Sequence, residues 1–179
     1  TLGYAVNACL EKMTFTDKLS LTVKSQEIEL PIREYPPLDE AERAMEAARA
    51  RFASMKGSDY ISMRNAELDM FGAENIYYYA KQTAEGITGD EELPCELQTV
   101  LLNDTLIVAL QGEMFVEYGL AIKEASPYAK TFVFEVSNGS LPGYIYTPEA
   151  GEEGGYEVGT SMFAANAGEA LVEKVKEMF

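Results

Sequence analysis

"TLIVALQGEMFVEYGLAIKEASPYAKTFVFEVS", residues 105–137, holds the pattern that sets the fold class. Leu106 to Leu110 is an unbroken apolar run of strand length, and Gly112 lets the chain turn at its end. "MFVEYGLAIKEA" (114–125) then reads as a helix, and "TFVFEVS" (131–137) as a second apolar strand. Strands this continuously apolar are expected to be buried, the first of them on both faces. Strand, helix and strand in succession predict an α/β arrangement, a mixed β-sheet core flanked by helices.

Working outward, "ELQTVLLN" (96–103) predicts another strand, joined to the first by a two-residue turn at Asn103-Asp104. Segments 97–102, 105–110 and 130–136 are therefore expected as neighbouring buried strands, with helices 39–55 and 168–178 packed outside. A loop is expected over 85–94. Leu38, Ala41, Met45, Ala48, Phe52 and Met55 fall three and four apart, a helix capped by Asp39 or a neighbour and ended near Gly57. Ser58 or Asp59 can cap a second helix running towards Lys81, interrupted by Gly72, and the Tyr77–Tyr79 triplet on it reads as packing. "KLSLTVKSQEIELPI" (18–32) alternates in two phases, predicting a strand with a break at Ser25-Gln26. Residues 1–13 have helical spacing on Leu2, Val6, Cys9, Leu10 and Met13, with no capping approach, as in a helix entered partway.

Composition narrows the function. The 179 residues carry 30 acidic against 14 basic side chains and no histidine, a net charge of −16. Such acidity opposes nucleic-acid binding, which requires a basic face, and electrostatic docking on anionic membranes. No apolar run approaches the roughly 20 residues of a membrane span. Cys9 and Cys95 form no metal-ligand spacing; two separate thiols or one disulfide both remain open. Without histidine, neither Ser161 nor either cysteine can belong to a conventional histidine-activated triad within this chain.

Chemistry in open α/β sheets sits at the carboxyl ends of strands. One such end, "ALQGEMF", carries Glu113; the other, "VSNGSLPGYIY", carries Tyr144 and Tyr146. On spacing alone, the favoured reading of Glu113 is as a partner of the helix dipole, worth about 0.3–1 kcal/mol. For the tyrosines the favoured reading is loop packing. Asn103 and Asn138 match the glycosylation pattern, but both fall at tight strand ends.

Taken in order, "LQGEMF" (110–115), "SNGSLPGYIYTPE" (137–149) and "GGYEVGTSMF" (154–163) resemble the latter half of the catalytic domain of the neutral/alkaline, non-lysosomal ceramidase family. The likeness is nearest to the short bacterial form and is clear over about residues 97–179. It implies a zinc amidohydrolase acting on the amide of an N-acyl sphingoid lipid. Glu113 matches the family's glutamate ligand and Tyr144 its tyrosine ligand, with Tyr156 and Glu157 as supporting groups. The family's two histidine ligands and catalytic serine would lie upstream of the segments that match. Three residues depart from the pattern: Gln111 and Tyr146 each replace a proline, and Gly151 stands where an aromatic is common.

The expectation is thus a single unit, 1–179, an incomplete portion of a larger catalytic domain with half a zinc site. It would need an N-terminal segment of the same protein, or a second copy, to stay folded and active. The alternative is a non-catalytic binding or structural domain that keeps the fold without the metal.

Overall fold

The computed structural model describes residues 1–87 and 92–179. Helix α1 (Leu2–Leu10) leads to strand β1 (Leu21–Pro31), then helices α2 (Leu38–Ser54) and α3 (Tyr60–Ala84) form a hairpin. Strands β2 (Glu92–Leu102) and β3 (Thr105–Ala109) follow, then β4 (Glu113–Met114), helix α4 (Val116–Ala125) and β5 (Lys130–Phe134). Strand β6 (Tyr144–Ile145) and helices α5 (Pro148–Glu153), α6 (Tyr156–Thr160) and α7 (Ala167–Glu177) complete the described elements. The main sheet has the order β1-β2-β3-β5; β1, β2 and β3 run antiparallel, and β5 pairs parallel with β3. The fold is mixed α/β, with β2, β3 and β5 adjacent.

Burial on both faces does not hold. Leu97, Thr99, Leu106 and Val108 point into the core with Ile28, Leu30 and Val133, against Tyr118 and Ile122 of α4 and Leu171 and Val175 of α7. Their neighbours along each strand point the other way, where no described helix packs against the sheet. Ile107 is only partly buried, and Phe132 and Phe134 are exposed. Unbroken apolarity therefore marks a strand with one covered and one open face. Helix α2 also differs from its expected place: it packs on α3, not on the sheet.

The predicted break in β1 is absent. The strand pairs residue by residue from Leu21 to Pro31, and Ser25 and Gln26 sit in register with Gln98 and Leu97. What changes there is the apolar face: Ile28 and Leu30 point inward, while Leu21 and Val23 point outward. Strand β2 begins at Glu92, inside the expected loop; of that loop, 88–91 lie outside the described residues. Pro94 is tolerated because β3 pairs only with Gln98–Leu102, so this end of β2 has one partner.

Helix ends follow local chemistry. The Asp59 side chain accepts from the Ser62 N–H at 3.0 Å and caps α3, which lowers its carboxyl pKa. The N-cap of α2 is the neighbouring Pro37, with no side-chain cap hydrogen bond, leaving Asp39 and Glu40 to meet the dipole in the first turn. Gly72 does not interrupt α3; a Cβ there would stand 3.0 Å from the Gly159 Cα, so the glycines let α3 and α6 touch backbone to backbone. Tyr79 stacks on Tyr35 with ring centroids 5.2 Å apart, the packing role expected of the tyrosine triplet. Cys9 is exposed and Cys95 buried, and the two are free thiols; burial pushes Cys95 up to about 11.

Candidate metal centre

The site is built where β3 and β5 both run out. Beyond β3, Gly112 turns at φ +80°, and a Cβ there would press on Leu141 at 3.2 Å, so this turn needs glycine. Beyond β5, Val136 N–H donates to the Gly112 carbonyl at 3.0 Å and Ser137 N–H to that of Leu110 at 2.9 Å. Gln111 adds a third tie, its Nε2 donating to the Asn138 carbonyl at 2.8 Å. The two loops are thereby joined along their length, and each delivers a short strand. Strand β4 pairs parallel with β6, placing Glu113 directly opposite Tyr144 and Met114 opposite Ile145.

Paired residues of a ladder share a face, and successive residues alternate. Met114 and Ile145 are buried, so Glu113 and Tyr144 project together from the opposite side. This overturns the helix-dipole reading of Glu113, because α4 begins three residues later and Glu117 occupies its first turn. Helix α6 closes the group from a third direction. Gly154 and Gly155 turn at φ +76° and +104°, and the Tyr156 ring then meets the Tyr144 ring edge-on, centroids 6.1 Å apart. Burial raises the Tyr144 phenol, followed by the Glu113 carboxylate, Tyr156, Glu157 and a hydrogen-bonding contact with Glu113. All four residues singled out from the sequence therefore lie in one neighbourhood, with Glu113, Tyr156 and Glu157 grouped around Tyr144.

Ser161 is the residue that sequence reasoning set aside too narrowly. It is 1% exposed, and its Oγ donates to the Tyr144 carbonyl at 2.6 Å while accepting from the Phe163 N–H at 3.1 Å. It thus fixes the strand that carries Tyr144. No local motif signals this, because the two partners lie 17 residues apart.

The departures from the ceramidase pattern have structural partners. The Tyr146 ring lies against Gly151, where a Cβ would meet it at 3.0 Å. A bulky residue at 151 and the ring at 146 would compete for one volume. The Tyr118 hydroxyl donates to the Tyr146 carbonyl at 2.9 Å, and burial pushes Tyr118 up to about 12. Both asparagines of the glycosylation pattern adopt positive φ, and the Asn103 amide is engaged by the Ser20 N–H and the Lys18 carbonyl.

Glu113 and Tyr144 supply a carboxylate and a phenol side by side, with the Glu157 carboxylate close enough to act on the phenol. Zinc accepts such oxygens, but its closed sites take four ligands, chiefly nitrogen and sulfur. Among the described residues, no group of three or more His, Cys, Asp or Glu is placed to hold a metal. A carboxylate and a phenol alone are two oxygen donors, short of the four ligands of a closed zinc site. Between α4 and the end of β5 runs an open groove of about 670 Å³ whose lining mixes Met114, Leu120 and Phe134 with Lys123, Glu135 and Ser137 and includes none of Glu113, Tyr144, Tyr156 and Glu157.

One consequence needs no metal. Glu113→Gln removes the nearest negative charge and should lower the Tyr144 pKa, since that charge opposes phenolate formation. Ultraviolet pH titration, with Tyr144→Phe to identify the signal, would show the phenol ionising at lower pH in Glu113→Gln. An unchanged Tyr144 titration would mean that the two groups do not face each other.

No protein-family model matches the chain, and neither curated proteins nor solved structures give a significant match. Among the described residues, no helix is long and apolar enough to cross a membrane.

Proposed function

We propose that this chain carries the carboxylate and phenol side of a zinc-dependent amidohydrolase site resembling that of the neutral ceramidases. The observation that carries the reading is the direct pairing of Glu113 with Tyr144 on a parallel ladder, with Tyr156 and Glu157 around it. Glu113 and Tyr144 would hold the ion, and imidazole ligands and a catalytic serine would come from a segment outside these residues or from a partner chain. Zinc, when bound, supplies Lewis acidity toward an amide carbonyl and lowers the pKa of water.

The chain's own residues do the positioning. Ser161 holds the Tyr144 backbone, the Gln111 amide holds the loop that leads to β6, and the Tyr156 ring limits the swing of the phenol. Burial and then the Glu113 carboxylate oppose ionisation of the Tyr144 phenol, which a cation held between the two groups would favour. The substrate class, an N-acyl lipid or a related amide, rests on the resemblance of the three motifs.

The rival is a binding or structural domain that keeps the fold without the metal, favoured by the absence of histidine. Zinc titration of the 179-residue chain separates the two. Binding should be weak, rise with pH as the raised phenol gives up its proton, and produce a phenolate absorbance change. Glu113→Ala and Tyr144→Phe should each weaken binding by at least the ~10–100-fold typical of losing an outer-shell partner. Tyr156→Phe should retain the phenolate signal. If zinc gives the same response in Glu113→Ala and Tyr144→Phe as in the parent chain, the rival stands.

A further inference from the structure

The open face of the main sheet is apolar across its whole width. Val23, Val100, Ile107 and Phe132 are successive cross-strand partners on β1, β2, β3 and β5, forming one row. Leu21 and Leu102 extend it on one side, and Phe134 on the other. Leu21 is 58% exposed, Val23 52% and Phe132 51%. A parallel pair such as β3 and β5 ordinarily has both faces covered. The phase change in β1 is informative here. The half of the strand nearest α1 turns its apolar residues outward, whereas the far half turns them inward.

Helix α1 has the complementary defect. Leu2, Val6, Cys9 and Leu10 form one helical stripe, no charged residue occurs from Leu2 to Leu10, and every residue of the helix is exposed. Its attachment is defined. Asn103 accepts from the Ser20 N–H and donates to the Lys18 carbonyl, and its own N–H donates to the Ser20 carbonyl. The linker is thus pinned at the β2–β3 turn, beside the apolar row.

We infer that α1 is a strap whose Leu2–Val6–Cys9–Leu10 stripe closes over the Val23–Val100–Ile107–Phe132 row of its own chain, making a three-layer α/β/α unit. The linker from Glu11 to Asp17 spans up to about 25 Å when extended, and Ile107 lies about 10 Å from β1, two strand spacings away. Tethering makes the chain's own helix the favoured occupant over that of a second copy. An uncharged stripe and an apolar row can meet without burying an unpaired charge, which matters in a chain of net charge −16. The inference is independent of the zinc reading.

Cys9 supplies the test, because the other thiol, Cys95, is buried. In Ile107→Cys, mild oxidation of dilute protein should form a Cys9 disulfide within one chain, seen as a faster-migrating monomer on non-reducing gels. Glu124→Cys, on α4 at the covered side of the sheet, should form none. In Ile107→Glu, Cys9 should react with a soluble thiol reagent several-fold faster than in the parent chain, at an unchanged circular dichroism spectrum. Concentration-dependent dimers in place of the internal disulfide would assign the row to a second copy and overturn the inference. Failure to form either disulfide, with equal Cys9 rates in the parent and Ile107→Glu, would overturn it as well.

Discussion

Phe163→Ala should lower the unfolding free energy by about 3–5 kcal/mol, the largest stability loss expected from a single truncation here. Phe163 has no exposed surface and belongs to the main apolar cluster, with Leu30, Leu97, Leu110, Ile145 and Leu171. It also joins segments distant in sequence. An isolated antiparallel bridge pairs it with Ile32, and Arg33 N–H donates to the Met162 carbonyl at 2.9 Å. The Phe163 N–H is itself one of the two partners of the Ser161 hydroxyl. Truncation leaves a cavity between the end of β1 and the segment leading into α7, which neither element can fill without breaking that bridge. Equilibrium urea unfolding, followed by circular dichroism, measures the effect. A loss below about 1 kcal/mol would mean that the site collapses freely, at odds with an anchored segment.

Gly159→Val should cost about 1–3 kcal/mol through overpacking and, unlike Phe163→Ala, should act directly on the candidate site. An added Cβ at 159 would stand 2.7 Å from the Gly72 Cα, a contact with backbone that no side-chain rotation relieves. Helix α6 must therefore move away from α3, breaking the Asn75 amide contacts with the Gly159 and Thr160 carbonyls. Tyr156 begins that helix and Ser161 follows it, so both supports of Tyr144 shift together. The expected signature is a lowered midpoint in urea together with a changed Tyr144 titration. Destabilisation with the Tyr144 titration unaltered would show that α6 does not position the phenol.

Local pattern determined a good deal of this molecule. Apolar periodicity located the strands of 97–102, 105–110 and 130–136 and the helices around them, because period is a property of neighbouring residues. Glycines at 112, 154 and 155 marked the turns that present the site, since positive φ is a local demand. Strand-end position drew attention to Glu113, Tyr144 and Tyr146 alike, and it was the motif order that singled out Glu113 and Tyr144 with Tyr156 and Glu157.

Tertiary structure decided what periodicity cannot encode. A run such as Leu106–Leu110 is equally apolar whether one face is covered or two; only the placement of α4 and α7 shows which. The phase change in β1 looked like a break because sequence records alternation but not which layer waits on each side. Gly72 looked like an interruption because its reason, Gly159, lies 87 positions away. Ser161 looked like an idle nucleophile because a hydrogen bond to the Tyr144 carbonyl leaves no trace in spacing. Pairing Glu113 with Tyr144 required two loops joined by backbone hydrogen bonds, and such bonds depend on no particular side chain. Contacts between distant segments are set by packing and backbone geometry, so they became legible only once the chain was folded.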